Sequence, residues 1–181
     1  MLPLGRTVRG RGGGEDAVRS NVSCYVLTSS MVCAAPRQQV FAFFADAGNL
    51  EEITPPWLHF EIVTPRPIVM AVGTLIDYRL RLHGVPFSWR TEIAAWGPPT
   101  RFVDRQLLGP YHEWVHEHLF EEEGGATRVV DRVRFRPRGG ALTQALFVGR
   151  DVRRIFTYRQ ARLLEAFGGQ AGDVVVARCR P

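Results

Sequence analysis

The sequence predicts an α+β domain: a strongly curved antiparallel sheet of about seven strands wrapped around one long C-terminal helix, with two short helices after the first strand. Three observations predict it. Between residues 74 and 136 apolar residues recur with a period of two, and the alternating runs are separated by short Gly- or Pro-containing turns, as in consecutive antiparallel strands. Residues 142–167 switch to helical periodicity, with Leu142, Ala145, Leu146, Val152, Ile155, Phe156, Leu163 and Phe167 on one stripe. The chain of 181 residues is long enough for one good-sized core and shows no internal repeat.

Each element follows from local chemistry. Residues 1–22 are rich in Gly and Arg, lack apolar periodicity and read as a disordered basic tail. Ser23–Cys33 reads as the first strand. Pro36 suits the first turn of a helix, whose apolar stripe is Val40, Phe41 and Phe44. Asn49-Leu50-Glu51-Glu52 has a capping-box spacing for a second short helix, ended by Thr54-Pro55-Pro56. Trp57 reads as a core plug. Leu58–Val63 is a short strand. In Thr74–Leu82, Ile76, Tyr78, Leu80 and Leu82 face in. In the next strand Phe87, Trp89, Thr91 and Ile93 do so, followed by Phe102, Asp104 and Gln106. Thr127–Arg136 places Val129, Asp131, Val133 and Phe135 inward against an all-arginine outer face. The folded domain therefore spans 23–167, and 168–181 reads as a flexible tail.

Composition removes several chemistries. All 23 basic residues are arginine, which excludes a lysine Schiff base, a lysine general base and a Gly-Lys-Ser/Thr phosphate loop. No Gly-x-Ser-x-Gly elbow occurs. Cys24, Cys33 and Cys179 have neither paired-ligand spacing nor an even count, so they signal no zinc site or disulfide framework and suit a reducing cytoplasm. No apolar run approaches the ~20 residues of a membrane span. Ten arginines between Arg128 and Arg162 face only Asp131 and Asp151. Such a basic stripe is most simply a solvated face; weak contact with an anionic membrane surface or an acidic protein is compatible with it, and no stable nucleic-acid binding is expected.

The segment most informative about function is His112–Phe120. Alternation puts His112, Trp114, His116, His118 and Phe120 on one side and Glu113, Val115, Glu117 and Leu119 on the other. The two carboxylates mark the second side as solvent-facing, so the histidines sit on a buried, largely apolar wall, where they need partners or a ligand. Turn lengths suggest those partners. A two-residue turn at Gly124-Gly125 sets His118 opposite Asp131 and Trp114 opposite Phe135. A three-residue loop at Gly109–Tyr111 pairs Leu108 with His112 and sets Asp104 opposite His116. A four-residue loop at His83–Pro86 sets Leu80 opposite Trp89 and Tyr78 opposite Thr91. The three registers converge on one polar island of Tyr78, Thr91, Asp104, Gln106, His116, His118 and Asp131, bordered by Leu80, Trp89, Trp114 and Phe135. The island fits a core network of Asp–His pairs, or a pocket that orients a mainly apolar ligand. It also fits acid–base catalysis by a histidine tuned by aspartate. A metal on His116, His118 and a carboxylate is geometrically open to a strand, but the spacing does not enforce one.

Residues 23–167 resemble the helix-grip superfamily, which includes START lipid-transfer domains, the birch-pollen-allergen fold and polyketide cyclase/dehydrase-like proteins. The resemblance lies in Pro36–Asp46 with Asn49-Leu50, Thr54-Pro55-Pro56-Trp57-Leu58, Gly73-Thr74 and Trp89-Arg90-Thr91. It continues through Phe102–Gln106, Gly109-Pro110-Tyr111, His116, His118 and Phe120. The chain looks most like a bacterial single-domain subgroup. The resemblance implies a cavity between sheet and C-terminal helix for a hydrophobic or amphipathic small molecule such as a lipid, an isoprenoid quinone or a polyketide-like aromatic, without a cofactor. Tyr78, Trp89, Thr91, Gln106, Trp114, His116, His118 and Phe135 are the expected ligand contacts. The alternatives are a metal-free cyclase or dehydratase and an arginine-rich module for an acidic partner or ribosomal RNA. In the enzyme, His116 or His118 would be base, Asp104 or Asp131 would orient it, and Tyr78 or Gln106 would bind an oxyanion.

Overall fold

The computed structural model describes residues 23–138 and 148–179. The tail over 1–22 and the expected helical residues Leu142, Ala145 and Leu146 lie outside that range. The alternating runs form strands β1 (Tyr25–Cys33), β2 (Glu61–Ile62), β3 (Leu75–Leu82), β4 (Val85–Gly97), β5 (Arg101–Leu108), β6 (Tyr111–Glu123) and β7 (Ala126–Pro137). Helix α1 (Arg37–Ala45) follows β1, and the long helix α2 (Gly149–Phe167) follows β7. An eighth strand, β8 (Gly169–Arg178), completes one antiparallel sheet in the order β2-β3-β4-β5-β6-β7-β1-β8. The sheet is open and strongly curved, and irregular register in β1/β8, β4/β5 and β6/β7 marks where the ladder bends.

The second short helix differs from expectation. A 3-10 turn at Ala47–Leu50 is capped by Asp46, whose side chain accepts from the Gly48 N–H at 2.8 Å, while the Asn49 amide donates to Phe43 O at 2.9 Å. Asp46 wins the cap because its carboxylate already lies at the chain reversal after α1. Trp57 is not a core plug. It is 37% exposed and packs outside α2 against Tyr158, with the Arg154 guanidinium 4.1 Å from its ring centre.

Residues 168–181, expected to be a flexible tail, instead supply β8. The strand pairs along β1 and lies mostly exposed. Gly168 ends α2 with φ 67° and its N–H on Leu164 O, and Gly169 at φ 109° begins the strand. A Cβ on Gly169 would stand 1.9 Å from Val32 O, so only glycine permits this approach to β1. At the far end Cys24 and Cys179, 155 positions apart, form a disulfide. Their spacing gives no hint of it; the pairing of the first and last strands brings them together. The bridge also removes the argument from cysteine usage for a reducing compartment. Cys33 is a buried free thiol, pushed up to about 11 by burial and by Asp131. No described helix is long and apolar enough to cross a membrane.

α2 lies on the concave face. Val152, Phe156 and Leu163 bury its stripe, and Gln160 clamps it to β1 by donating to Ser29 Oγ at 2.9 Å and Ser30 O at 3.0 Å. Val152 and Phe156 join Leu27, Val133 and Phe135 in one core cluster. Leu163 joins Phe41, Phe44, Phe102 and Phe120 in another.

The arginine stripe of β7 faces outward as expected, and the acidic outer face of its neighbour answers it. Arg134 and Arg136 meet Glu113 at 2.6 and 2.9 Å, Arg128 meets Glu123 at 2.9 Å and Arg132 lies 3.9 Å from Glu117. A stripe paired in this way presents little free positive potential. We therefore expect only weak binding to duplex DNA or structured RNA, lost near physiological salt. An electrophoretic or anisotropy titration across salt would check this; tight binding surviving ~200 mM salt would identify an interaction module.

Candidate functional site

Between the curved sheet and α2 lies a cavity of about 220 Å³. Its volume is below the roughly 300–1,000 Å³ usual for small-molecule sites. It nevertheless exceeds the roughly 150 Å³ that accepts benzene in an engineered core. Its walls come from several elements: Phe44 from α1; Ile76, Tyr78 and Leu80 from β3; Phe87, Trp89, Thr91 and Ile93 from β4; Phe102 and Asp104 from β5; Tyr111, Trp114, His116 and His118 from β6; and Ile155, Phe156 and Arg159 from α2. Most of this surface is apolar, and its ionisable groups include Asp104, His116, His118 and Arg159.

The expected registers of β5, β6 and β7 are present: Asp104 opposes His116, His118 opposes Asp131 and Trp114 opposes Phe135. The β3–β4 connection differs. It is a two-residue turn with His83 and Gly84 both at positive φ (51° and 81°), so Leu82 pairs with Val85. Tyr78 therefore opposes Trp89, and Leu80 opposes Phe87. A shift of two residues preserves parity, so every inward residue stays inward. Trp89 Nε1 donates to Thr91 Oγ1 at 3.0 Å within β4.

The side chains of the two Asp–His pairs interlock into a tetrad rather than forming separate pairs. Diagonal hydrogen bonds join His116 Nε2 to Asp131 Oδ1 at 3.0 Å and His118 Nε2 to Asp104 Oδ2 at 3.1 Å. Across the registered pairs, His118 Nδ1 lies 2.9 Å from Asp131 Oδ1 and His116 Nδ1 lies 3.6 Å from Asp104 Oδ2. The His118 Nδ1 contact is short but misdirected, leaving that buried nitrogen without a hydrogen bond among the described residues. The imidazoles lie 3.7 Å centroid to centroid, and His118 stacks on Phe102 at 4.0 Å. Burial pushes His116 below the ordinary histidine range, helped by His118 and opposed by Asp104 and Asp131. Burial alone would raise Asp131, but the Arg159 guanidinium and the two imidazoles packed against it outweigh that and hold the carboxyl well below its ordinary range. Burial raises the phenols of Tyr78 and Tyr111 well above theirs, so both remain neutral donors.

Two expected ligand contacts, Gln106 and Phe135, are placed elsewhere, and His112 leaves the expected inward face. The Gln106 amide folds onto the β5–β6 turn, donating to Tyr111 O at 2.9 Å, and so is engaged rather than aimed at the cavity. Phe135 is fully buried behind Trp114 and Tyr25 and does not line the cavity. His112 is exposed, because irregular register between Tyr111 and Glu113 breaks the alternation and turns Tyr111 inward. Asp131 stands behind the two imidazoles rather than in the wall.

Arg159 joins the site without being among its expected residues. Only 8% exposed, it lies over the Phe44 ring with Nε 3.7 Å from Asp131 Oδ2, outside hydrogen-bond reach. The sequence does carry a signal for it: Val152, Phe156, Arg159 and Leu163 follow helical spacing, which places one arginine on the buried stripe.

Comparison with known proteins adds the wider context. Residues 33–166 match the model of a family described as polyketide cyclase / dehydrase and lipid transport. No curated protein matches the chain. Among solved structures, protein Ms6760 from Mycobacterium smegmatis is similar at 21% identity and a TM-score of 0.58, over 78% of this chain and 91% of that one. Protein CV1439 from Chromobacterium violaceum is similar at 10% identity and a TM-score of 0.64, over 79% and 96%. Ginseng major latex-like protein 151 from Panax ginseng is similar at 10% identity and a TM-score of 0.61, over 80% and 97%. At these identities the structural likeness establishes the helix-grip fold.

Proposed function

Because the chain belongs to the polyketide cyclase / dehydrase and lipid transport family, we propose that it binds a hydrophobic or amphipathic small molecule between its sheet and α2. A flat polyketide-like aromatic, a quinone head or a short acyl segment suits the site. The observation that carries this reading is the cavity: mostly aromatic and aliphatic walls with a few polar groups among them, Asp104, His116, His118 and Arg159 included. Its volume favours a molecule with one or two rings over a large lipid. Tyr78, Trp89, Thr91, Trp114, His116 and His118 are the proposed contacts, with Arg159 added from α2 and Gln106 and Phe135 left out. The binding unit runs from Ser23 through β8, since β8 pairs along β1.

A cyclase or dehydratase is the second reading, favoured by two histidines that reach the cavity with an aspartate beside each. His116 or His118 would serve as base, with Asp104 or Asp131 holding it. With Gln106 engaged elsewhere, Tyr78 would be left to meet an oxyanion. Binding is the stronger reading because it needs only the cavity.

Trp89 and Trp114 touch edge to face at 5.4 Å in the cavity wall. Titration with a flat polyphenol, a short-chain quinone or a fatty acid should therefore change intrinsic fluorescence saturably. Trp114→Leu should remove much of that change. A flat response to all three would refute ligand binding here.

A further inference from the structure

We propose that Asp104, His116 and His118 form a site for one divalent first-row transition ion, open on its remaining side to the cavity. One ligand atom from each residue lies within 4.8 Å of the others. The nitrogens facing Asp104 Oδ2 are His116 Nδ1 at 3.6 Å and His118 Nε2 at 3.1 Å. Two donors on one ion at about 2.0–2.1 Å stand roughly 3.3 Å apart at a tetrahedral angle, and both nitrogen-to-Asp104 distances lie within a few tenths of an ångström of that spacing.

His118 Nδ1 points to the same site: of the four N···O contacts between the imidazoles and the carboxylates only two are hydrogen bonds, and His118 Nδ1, 2.9 Å from Asp131 Oδ1, is buried without one. Two neutral imidazoles carry only two N–H groups. With both protons on Nε2 for the observed bonds, the His118 Nδ1 lone pair is set against the Asp131 carboxylate. Asp131 resolves which side keeps the protons. Its Oδ1 lies 3.0 Å from His116 Nε2, to which it is hydrogen-bonded, and 2.9 Å from His118 Nδ1, so a proton on Nδ1 rather than Nε2 and a small turn of the ring would give that nitrogen the acceptor it lacks. A carboxylate behind each imidazole is the usual outer shell of a metal-bound histidine, fixing its tautomer and orientation. The lone pairs of His116 Nδ1 and His118 Nε2 then both face Asp104 Oδ2, and the ion stands between the three.

Charge gives the third argument. Asp104 and Asp131 bring two carboxylates to the site and Arg159, beside Asp131, one guanidinium, so Asp104 has no arginine partner of its own among the described residues. A divalent ion supplies a cationic partner and leaves one position for a water, a hydroxide or an oxygen of the cavity's ligand. Two imidazoles and one carboxylate suit zinc, iron(II), cobalt(II) or manganese(II) better than calcium or magnesium. This inference does not require the cavity's organic ligand, because the ion is held by protein atoms alone.

The test uses tag-free full-length protein stripped with a chelator, then titrated with Zn²⁺ and with Co²⁺. We expect one ion per chain by elemental analysis and a saturable visible Co²⁺ spectrum. Asp104→Asn and His118→Gln should abolish stoichiometric uptake. Asp131→Asn should weaken it by roughly 10–100-fold, as loss of an outer-shell carboxylate does. His83→Gln, at an exposed turn residue, should leave it unchanged. Should His118→Gln fail to fold by circular dichroism, Asp104→Asn decides, since Asp104 is the less buried of the two. Stripped, folded protein that takes up no stoichiometric ion would overturn the site, as would uptake unaffected by Asp104→Asn. Fluorescence titration of the stripped protein reads the organic ligand separately, so failure of one reading is distinguishable from failure of the other.

Discussion

Asp131→Ala should destabilise the protein by about 3–5 kcal/mol, the cost typical of removing one partner from a buried charged network. Asp131 is 4% exposed and faces His116, His118 and Arg159 at once. Alanine leaves His116 Nε2 without its acceptor and the buried Arg159 cation without its nearest carboxylate. Nothing apolar replaces them and the site is too enclosed for easy hydration. Asp131→Asn keeps an acceptor oxygen and should cost less. Urea denaturation gives the answer as a lowered midpoint with an unchanged slope. A loss below ~1 kcal/mol would mean that the tetrad relaxes around the gap and contributes little to the fold.

Phe120→Ala should cost a similar amount, about 3–5 kcal/mol, through a different mechanism. Phe120 is 2% exposed, and its ring lies 5.0–6.1 Å from those of Phe44, Phe41 and Phe102. Its removal leaves a cavity behind the wall on which His118 stacks through Phe102. For a chain of this size the change corresponds to a melting temperature lower by on the order of 10 °C. The ligand-dependent fluorescence change should also weaken, since Phe44 and Phe102 gain room to move. A melting temperature within ~2 °C of the parent would show that α1 collapses onto β6 and refills the space.

Much of the candidate site is legible in the sequence. Alternation assigns Ile76, Tyr78, Trp89, Thr91, Asp104, Trp114, His116 and His118 to one face because side chains on a strand leave no other choice. Gly124-Gly125 sets the β6–β7 register because both glycines adopt positive φ (58° and 87°) in a two-residue turn. The β3–β4 register lies two residues from the one a four-residue loop implies, since the His83 conformation that permits the tight turn is uncommon for a residue with a Cβ. His112 and Tyr111 exchange roles because an irregularity in a ladder has no reliable mark in composition.

The sequence by itself determined the α+β class, the inward face of strands β3 to β7, the alignment of the two Asp–His pairs and the absence of lysine chemistry. These depend on local periodicity and short turns, which a single segment carries complete. Tertiary structure alone decided that β8 pairs with β1 and that Cys24 meets Cys179. It also decided that the two Asp–His pairs cross into one tetrad with Arg159 of α2 against its back. β8 leaves no pattern in the sequence because an exposed edge strand buries little and so carries no alternation. The place of Arg159 depends on how two separately encoded surfaces, sheet and helix, come to rest against each other. That contact joins residues far apart in the chain, and no local pattern records it.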